Sequence, residues 1–121
     1  MTGRAMGETR FACHALIFDL DGVLVDSQRV IQRYWRRWAA RNGLDADEIL
    51  RLAQGMRTVD TIRLVAPHLD AEAETAVLAG GEALDMNGVL PVAGAQELLQ
   101  SIPPERWGVA TSGSLRTASA R

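Results

Sequence analysis

Two aspartates stand two residues apart in the stretch FDLDGVLVDS, residues 18–27. Asp19 and Asp21 follow an apolar run, Ala15-Leu16-Ile17-Phe18. An apolar run closed by charge and then by Gly22 reads as a strand ending at a loop. Like charges this near repel, and a carboxylate is costly to take out of water. The pair therefore points to a bound cation, or to an anionic substrate managed through one. A second cluster, TSGS at residues 111–114, follows another apolar run at 106–110. Small residues there let backbone N–H groups approach an anion, and a helix beginning there would aim its positive end at the same place.

In parallel α/β sheets, ligands sit beyond the carboxyl ends of the strands. Asp19, Asp21 and Thr111 all fall at such ends. A hard cation such as Mg²⁺ takes oxygen ligands, commonly one or two carboxylates plus phosphate. Two carboxylates, a metal ion and an anion cradle fit phosphoryl transfer. One carboxylate attacks phosphorus and the other handles the proton.

Plainer readings compete with these. Asp-x-Asp-Gly also opens calcium loops, but the fifth position counted from Asp19 is Val23, and a strand-like run stands where a helix should. Thr111 alone would be an ordinary cap or turn residue. Trp35 and Trp38 have the spacing of a packed helix face, which reads as core and not as a sugar-stacking platform. Eight Arg against four acids fall between Arg29 and Arg63. Most of these form a solvated face, although a cationic lobe above an anion site would also aid capture. His14 and His68 have no partner at metal-ligand spacing and read as structural or surface residues. Glu72 and Glu74 read as helix surface, and Cys13 as a small buried hydrophobe.

The elements that must position these groups follow from periodicity. Residues 15–18 are expected to form a buried strand. A helix is expected from the N-cap Ser27 to the Asn42-Gly43 stop, with Ile31, Tyr34, Trp35 and Trp38 on one face. Further helices are expected over 46–53, 59–66 and 71–84, the last weakened at Gly80-Gly81. GVLPVAG, residues 88–94, reads as an irregular connection. A helix over 95–102 stops at Pro103-Pro104, and residues 106–110 form a second buried strand. The final residues can begin another helix. Strand, long helical stretch, helix, strand implies a parallel pair joined by a crossover. The crossover is far longer than such a unit needs, so residues 26–90 are expected to form an inserted helical lobe. Residues 1–25 and 91–121 would supply the sheet. The fold class is α/β.

Composition narrows the partners. The chain has 121 residues, 47% hydrophobic and 23% charged, the range of an ordinary globular domain. A net charge of −2 gives no basic footprint for nucleic acid. No stretch is long and apolar enough to span a membrane, and MTGRAMGETR is not followed by the apolar segment of a signal peptide. One cysteine allows no intramolecular disulfide. A cytoplasmic protein is expected.

With these residues in place, FDLDGVLVDS resembles the first signature of the haloacid dehalogenase (HAD) superfamily, and VATSGS, residues 109–114, resembles its second. The helical insertion resembles the cap of the β-phosphoglucomutase and sugar-phosphatase branch, and LPVAGAQELL looks most like that branch's small sugar-phosphate phosphatases. The resemblance implies an incomplete Rossmann-like core with an α-helical cap, and Mg²⁺-dependent hydrolysis of a small sugar or polyol phosphate. It makes Asp19 the nucleophile that forms an aspartyl-phosphate and Asp21 the general acid and base. Mg²⁺ would bind the Asp19 carboxylate and the Asp21 backbone carbonyl. Thr111 and Ser112 would hold phosphate. Gly55 and Arg57 lie in QGMRT, which resembles the substrate-specificity loop, with Thr58 as the alternative contact.

The sequence also departs from that family. All thirteen basic residues are Arg, whereas the family uses a Lys and further acids after the second motif. The ten residues after Thr111 contain neither. The chain thus looks like the N-terminal part of such an enzyme, inactive alone. A phosphomutase and a non-catalytic fragment are the rival readings.

Overall fold

The computed structural model describes residues 7–121. Residues 1–6, part of the stretch MTGRAMGETR and of the expected core piece 1–25, lie outside the described residues. The two expected strands, β1 (Leu16–Phe18) and β4 (Trp107–Val109), pair in parallel, with Leu16 opposite Trp107 and Phe18 opposite Val109. Ala110 N–H extends the ladder by donating to the Phe18 carbonyl at 2.9 Å. Parallel pairing points both C-terminal ends the same way, so Asp19 and Thr111 leave the sheet at one edge.

The strands are not buried as expected. Leu16 is 38% exposed and Ile17 77%. Apolar composition buries a parallel strand only when layers cover both of its faces, and here the sheet has two strands. Cys13 is exposed too, because it precedes β1 in a segment without regular structure. GVLPVAG is not wholly irregular. Its Leu90–Pro91 is strand β3, antiparallel to β2 (Val25–Asp26). Pro91 is tolerated because a two-stranded ladder leaves positions that need no N–H donor.

Between β2 and β3 lie α1 (Gln28–Asn42), α2 (Ala46–Leu52), α3 (Thr58–Val65) and α4 (Ala71–Leu84). They enclose one apolar cluster that includes Trp35, Trp38, Ile49, Ile62 and Leu78. The two indole rings meet edge to face, centroids 5.5 Å apart at 87°, a favoured aromatic geometry. Local sequence chemistry sets the helix ends. Asp45 accepts from the N–H groups of Asp47 and Glu48, and Asp70 from that of Ala73. Gly43 takes the left-handed conformation that ends α1.

Gly80-Gly81 does not break α4. A Cβ on Gly81 would lie 2.5 Å from Cε1 of Tyr34, and the Tyr34 hydroxyl donates to the Gly81 carbonyl at 3.0 Å. The glycine admits the ring, and that contact offsets its poor helix propensity. Glu74 is not plain surface, since the Trp38 indole N–H donates to it at 2.7 Å. Glu72 does face solvent, paired with Arg63. His14 and His68 are exposed.

A second, smaller cluster joins Leu20, Leu24, Val25 and Ala95, with Phe18 and Leu99 against it. It sits under the first motif and is built by β1, β2 and α5 (Ala95–Ser101). The last helix, α6 (Leu115–Ala120), is capped by Ser114, whose Oγ accepts from Thr117 N–H. It packs on α4, where Thr117 Oγ1 reaches the Ala79 carbonyl at 3.4 Å. Among the described residues no helix is long and apolar enough to cross a membrane.

Candidate active site

Asp19 is the first residue past β1 and is exposed. Its Oδ1 accepts from the N–H of Leu20 at 2.8 Å. The chain then turns sharply. Leu24 and Val25 N–H both donate to the Leu20 carbonyl, and Gly22 N–H donates to that of Val25. Gly22 sits at φ 81°, a conformation that a side chain would strain. This turn folds Asp21 back over the start of α1.

Asp21 is half-buried and heavily engaged. Its Oδ1 accepts from the Ser27 hydroxyl at 2.5 Å and from Arg121 Nη1 at 2.6 Å. Ser27 stands at the N-cap position of α1 as expected, yet its side chain makes no cap hydrogen bond, because the carboxylate takes it. Arg121 Nη2 reaches Glu82 Oε2 on α4 at 3.1 Å. Burial pushes the Glu82 carboxyl above its ordinary value, and the negative charge of Asp21 adds to that. Arg121 pulls the other way, but desolvation outweighs it.

Thr111 is half-buried at the end of β4, and its Oγ1 accepts from Gly113 N–H at 3.1 Å. This closes a small turn that leaves Ser112 exposed. The helical lobe faces this turn. One cavity of about 370 Å³ is lined by Asp21, Ser112, Gly55 and Arg57, with Glu82 and Arg121 between them. Four of the six residues expected from the sequence thus share one space, and Thr58 lines it as well. Asp19 and Thr111 lie outside its lining. Gly55 is left-handed, φ 72°. Arg57 precedes α3 and forms a two-pronged pair with Asp60 at 2.7 and 3.2 Å. The pair holds the Asp60 carboxyl below its ordinary value and the Arg57 guanidinium above its own.

The donor chemistry fits a hard cation in kind. Among the described residues, the turn's backbone hydrogen bonds run to the carbonyls of Leu20 and Val25 and none runs to that of Asp21. That carbonyl and the exposed Asp19 carboxylate are oxygen donors two residues apart. Mg²⁺ is commonly held by one or two such groups, with water and substrate phosphate supplying the rest. The Asp21 carboxylate is engaged by Arg121 and Ser27 instead. Among the described residues no group of three or more His, Cys, Asp or Glu side chains surrounds a point.

Sequence reasoning did not find Glu82 or Arg121. Glu82 carried a signal, being the one charge in the otherwise uncharged run AVLAGGEAL, residues 76–84. Arg121 carried none.

Comparison with known proteins identifies the family and the fold. Residues 13–121 match the family model "haloacid dehalogenase-like hydrolase". The chain is 36% identical over 114 residues to hexitol phosphatase A of Escherichia coli, covering 90% of this chain and 53% of that protein. It is 32% identical over 109 residues to glycerol-1-phosphate phosphohydrolase 2 of Saccharomyces cerevisiae, covering 84% and 42%. It therefore spans about half the length of the curated relatives it matches. Among solved structures, a hydrolase from Pseudomonas syringae superposes with a TM-score of 0.72 at 26% identity, covering 88% of this chain and 52% of that one. The fold is an incomplete Rossmann-like α/β core carrying a helical cap. The chain belongs to the haloacid dehalogenase-like hydrolases.

Proposed function

We propose that the full-length protein is a Mg²⁺-dependent phosphatase that hydrolyses a small sugar or polyol phosphate in the cytoplasm. One observation carries this reading. Asp21 and Ser112, from the ends of two parallel strands, line one cavity with Arg57 from the helical lobe. The names of the relatives, one a hexitol phosphatase and one a glycerol-1-phosphate phosphohydrolase, support hydrolysis over a phosphomutase and favour a polyol ester.

In this reading residues 1–25 and 91–121 form the core and residues 26–90 the cap. An Asp19 oxygen attacks phosphorus as the bond to the ester oxygen breaks. Asp21 gives its proton to the leaving alkoxide, and Asp19 holds the phosphoryl group as an acyl phosphate. Water then attacks phosphorus while Asp21 takes its proton, which frees phosphate and restores the Asp19 carboxylate. Thr111 and Ser112 orient the phosphoryl oxygens. The Asp19 carboxylate and the Asp21 carbonyl would hold Mg²⁺, which when bound offsets phosphate charge. Arg57 meets the rest of the substrate, releasing Asp60 to do so. Residues 1–121 alone, lacking Lys and distal acids, are expected to show no meaningful turnover.

The test is phosphate release from glycerol phosphate and hexitol phosphates with and without Mg²⁺, for the full-length protein and its Asp19→Asn variant. Loss of turnover in the variant is expected. Retention of a tenth of the activity would remove Asp19 from the nucleophile's role.

A further inference from the structure

We propose that Arg121 is a positioning residue for the proton-transfer step, clamping the Asp21 carboxylate to Glu82 of α4. The inference rests on the phosphatase reading above. The Arg121 side chain is 3% exposed, and those of Glu82 and Asp21 are 13% and 26% exposed. Its guanidinium donates one N–H to Asp21 Oδ1 at 2.6 Å and another to Glu82 Oε2 at 3.1 Å. Ser27 meets the same Oδ1 at 2.5 Å. Two donors from two elements therefore hold one oxygen of Asp21, and neither is spent on Oδ2. Proton exchange with the leaving group falls to Oδ2.

A guanidinium suits this task because its N–H groups point in fixed directions. Anchoring one of them on Glu82 orients the one that meets Asp21. Packing alone does not account for the residue. Arg121 Nε is buried without a partner, which costs stability. An apolar side chain would fill the space without that cost. What the charged side chain adds is the work of its two paired nitrogens.

The experiment compares kcat/KM on two substrates in the full-length protein. General acid catalysis is worth on the order of 10²–10⁴-fold, and nitrophenolate, a good leaving group, needs little of it. Arg121→Met should lower kcat/KM on glycerol phosphate about tenfold and on p-nitrophenyl phosphate less than about twofold. Glu82→Gln keeps the guanidinium but weakens its anchor, so it should show the same split at smaller size. Arg121→Lys should recover part of the loss. Equal losses on both substrates would overturn the assignment and make Arg121 an anion-binding or purely structural residue. Should Arg121→Met fail to fold, Glu82→Gln decides, and absence of a split there overturns the proposal. The parent and Asp19→Asn separate the two levels. Turnover surviving in that variant defeats Asp19 as the nucleophile, and a parent that releases no phosphate from either substrate defeats the phosphatase reading. An inactive Asp19→Asn beside an Arg121→Met without a split defeats only the positioning role.

Discussion

The helical lobe and the strand-end region are built on opposite terms. In the lobe, Ile62 is fully buried and Trp38 is 2% exposed, both inside a cluster that four helices close among themselves. At the strand ends, Ile17 is 77% exposed, and a small cluster around Leu20 and Leu24 supports the motif. Fully burying a large apolar side chain is worth about 1.5–3 kcal/mol, so most of the packing free energy sits in the lobe. The candidate site residues Asp19, Asp21 and Thr111 all sit at the other end. The contrast teaches that close packing and the candidate carboxylates fall in different parts of this chain. The Arg121–Glu82 pair is one of the few polar ties between them.

The largest effect that would break this division is at Asp21. Asp21→Asn in the full-length protein should lower turnover of an alkyl phosphate about a thousandfold. Mg²⁺ affinity should stay close to that of the parent, since the metal contact assigned there is the backbone carbonyl. A Mg²⁺ titration in which Asp21→Asn fails as badly as Asp19→Asn would show that the two carboxylates do not divide the work.

Stability should divide the other way. Trp38→Ala removes a buried ring and its hydrogen bond to Glu74, and should cost about 3–5 kcal/mol. Ile17→Ala, on the exposed strand, should change stability by less than about 0.5 kcal/mol. Urea unfolding of residues 1–121 followed by far-UV circular dichroism checks both. Comparable losses would mean that the exposed sheet face is packed in solution, most simply by a second copy pairing along β1.

What could be read in advance follows the same line. The helices of the lobe were legible to within a residue or two because their apolar spacing and stop signals, Asn42-Gly43 among them, are local chemistry. The place of the carboxylate pair at a strand end was legible because an apolar run closed by charge and Gly marks a strand running into a loop. The exposure of Leu16 and Ile17 was not, since strand composition records an apolar preference and not what covers the strand. β3 was hidden by Pro91, which argues against a strand unless its partner is known. Arg121 and Glu82 are 39 residues apart, and no local pattern joins them. The role of Ser27 was obscured by a good local explanation, the helix cap, which its bond to Asp21 displaces.

A smaller effect sharpens the division on the substrate side. Arg57 belongs to the lobe and lines the shared cavity. Arg57→Ala should lower kcat/KM about tenfold on a polyol phosphate and about twofold on p-nitrophenyl phosphate, because remote contacts act only on substrates that can use them. Equal losses on both would move Arg57 into the phosphate site and blur the line between the two regions.

The smallest effect lies where the regions meet, at the end of α4, in two acids three residues apart. Asp85 is held below its ordinary value of 3.8, chiefly by the hydrogen bond from Arg33. Its contribution to stability is therefore present above pH 3.8 and lost as pH falls through the lowered folded value. Glu82 is raised above its ordinary value of 4.5, chiefly by burial. Its contribution is full below pH 4.5 and lost as pH rises through the raised folded value. Urea midpoints measured across pH for the parent and each variant give two difference curves. Parent minus Asp85→Asn should rise with pH over the acid limb. Parent minus Glu82→Gln should fall with pH, beginning above 4.5. A Glu82 curve that rises instead would mean that Arg121 outweighs burial. The pair would then bind the lobe to the strand ends more tightly at neutral pH than in acid.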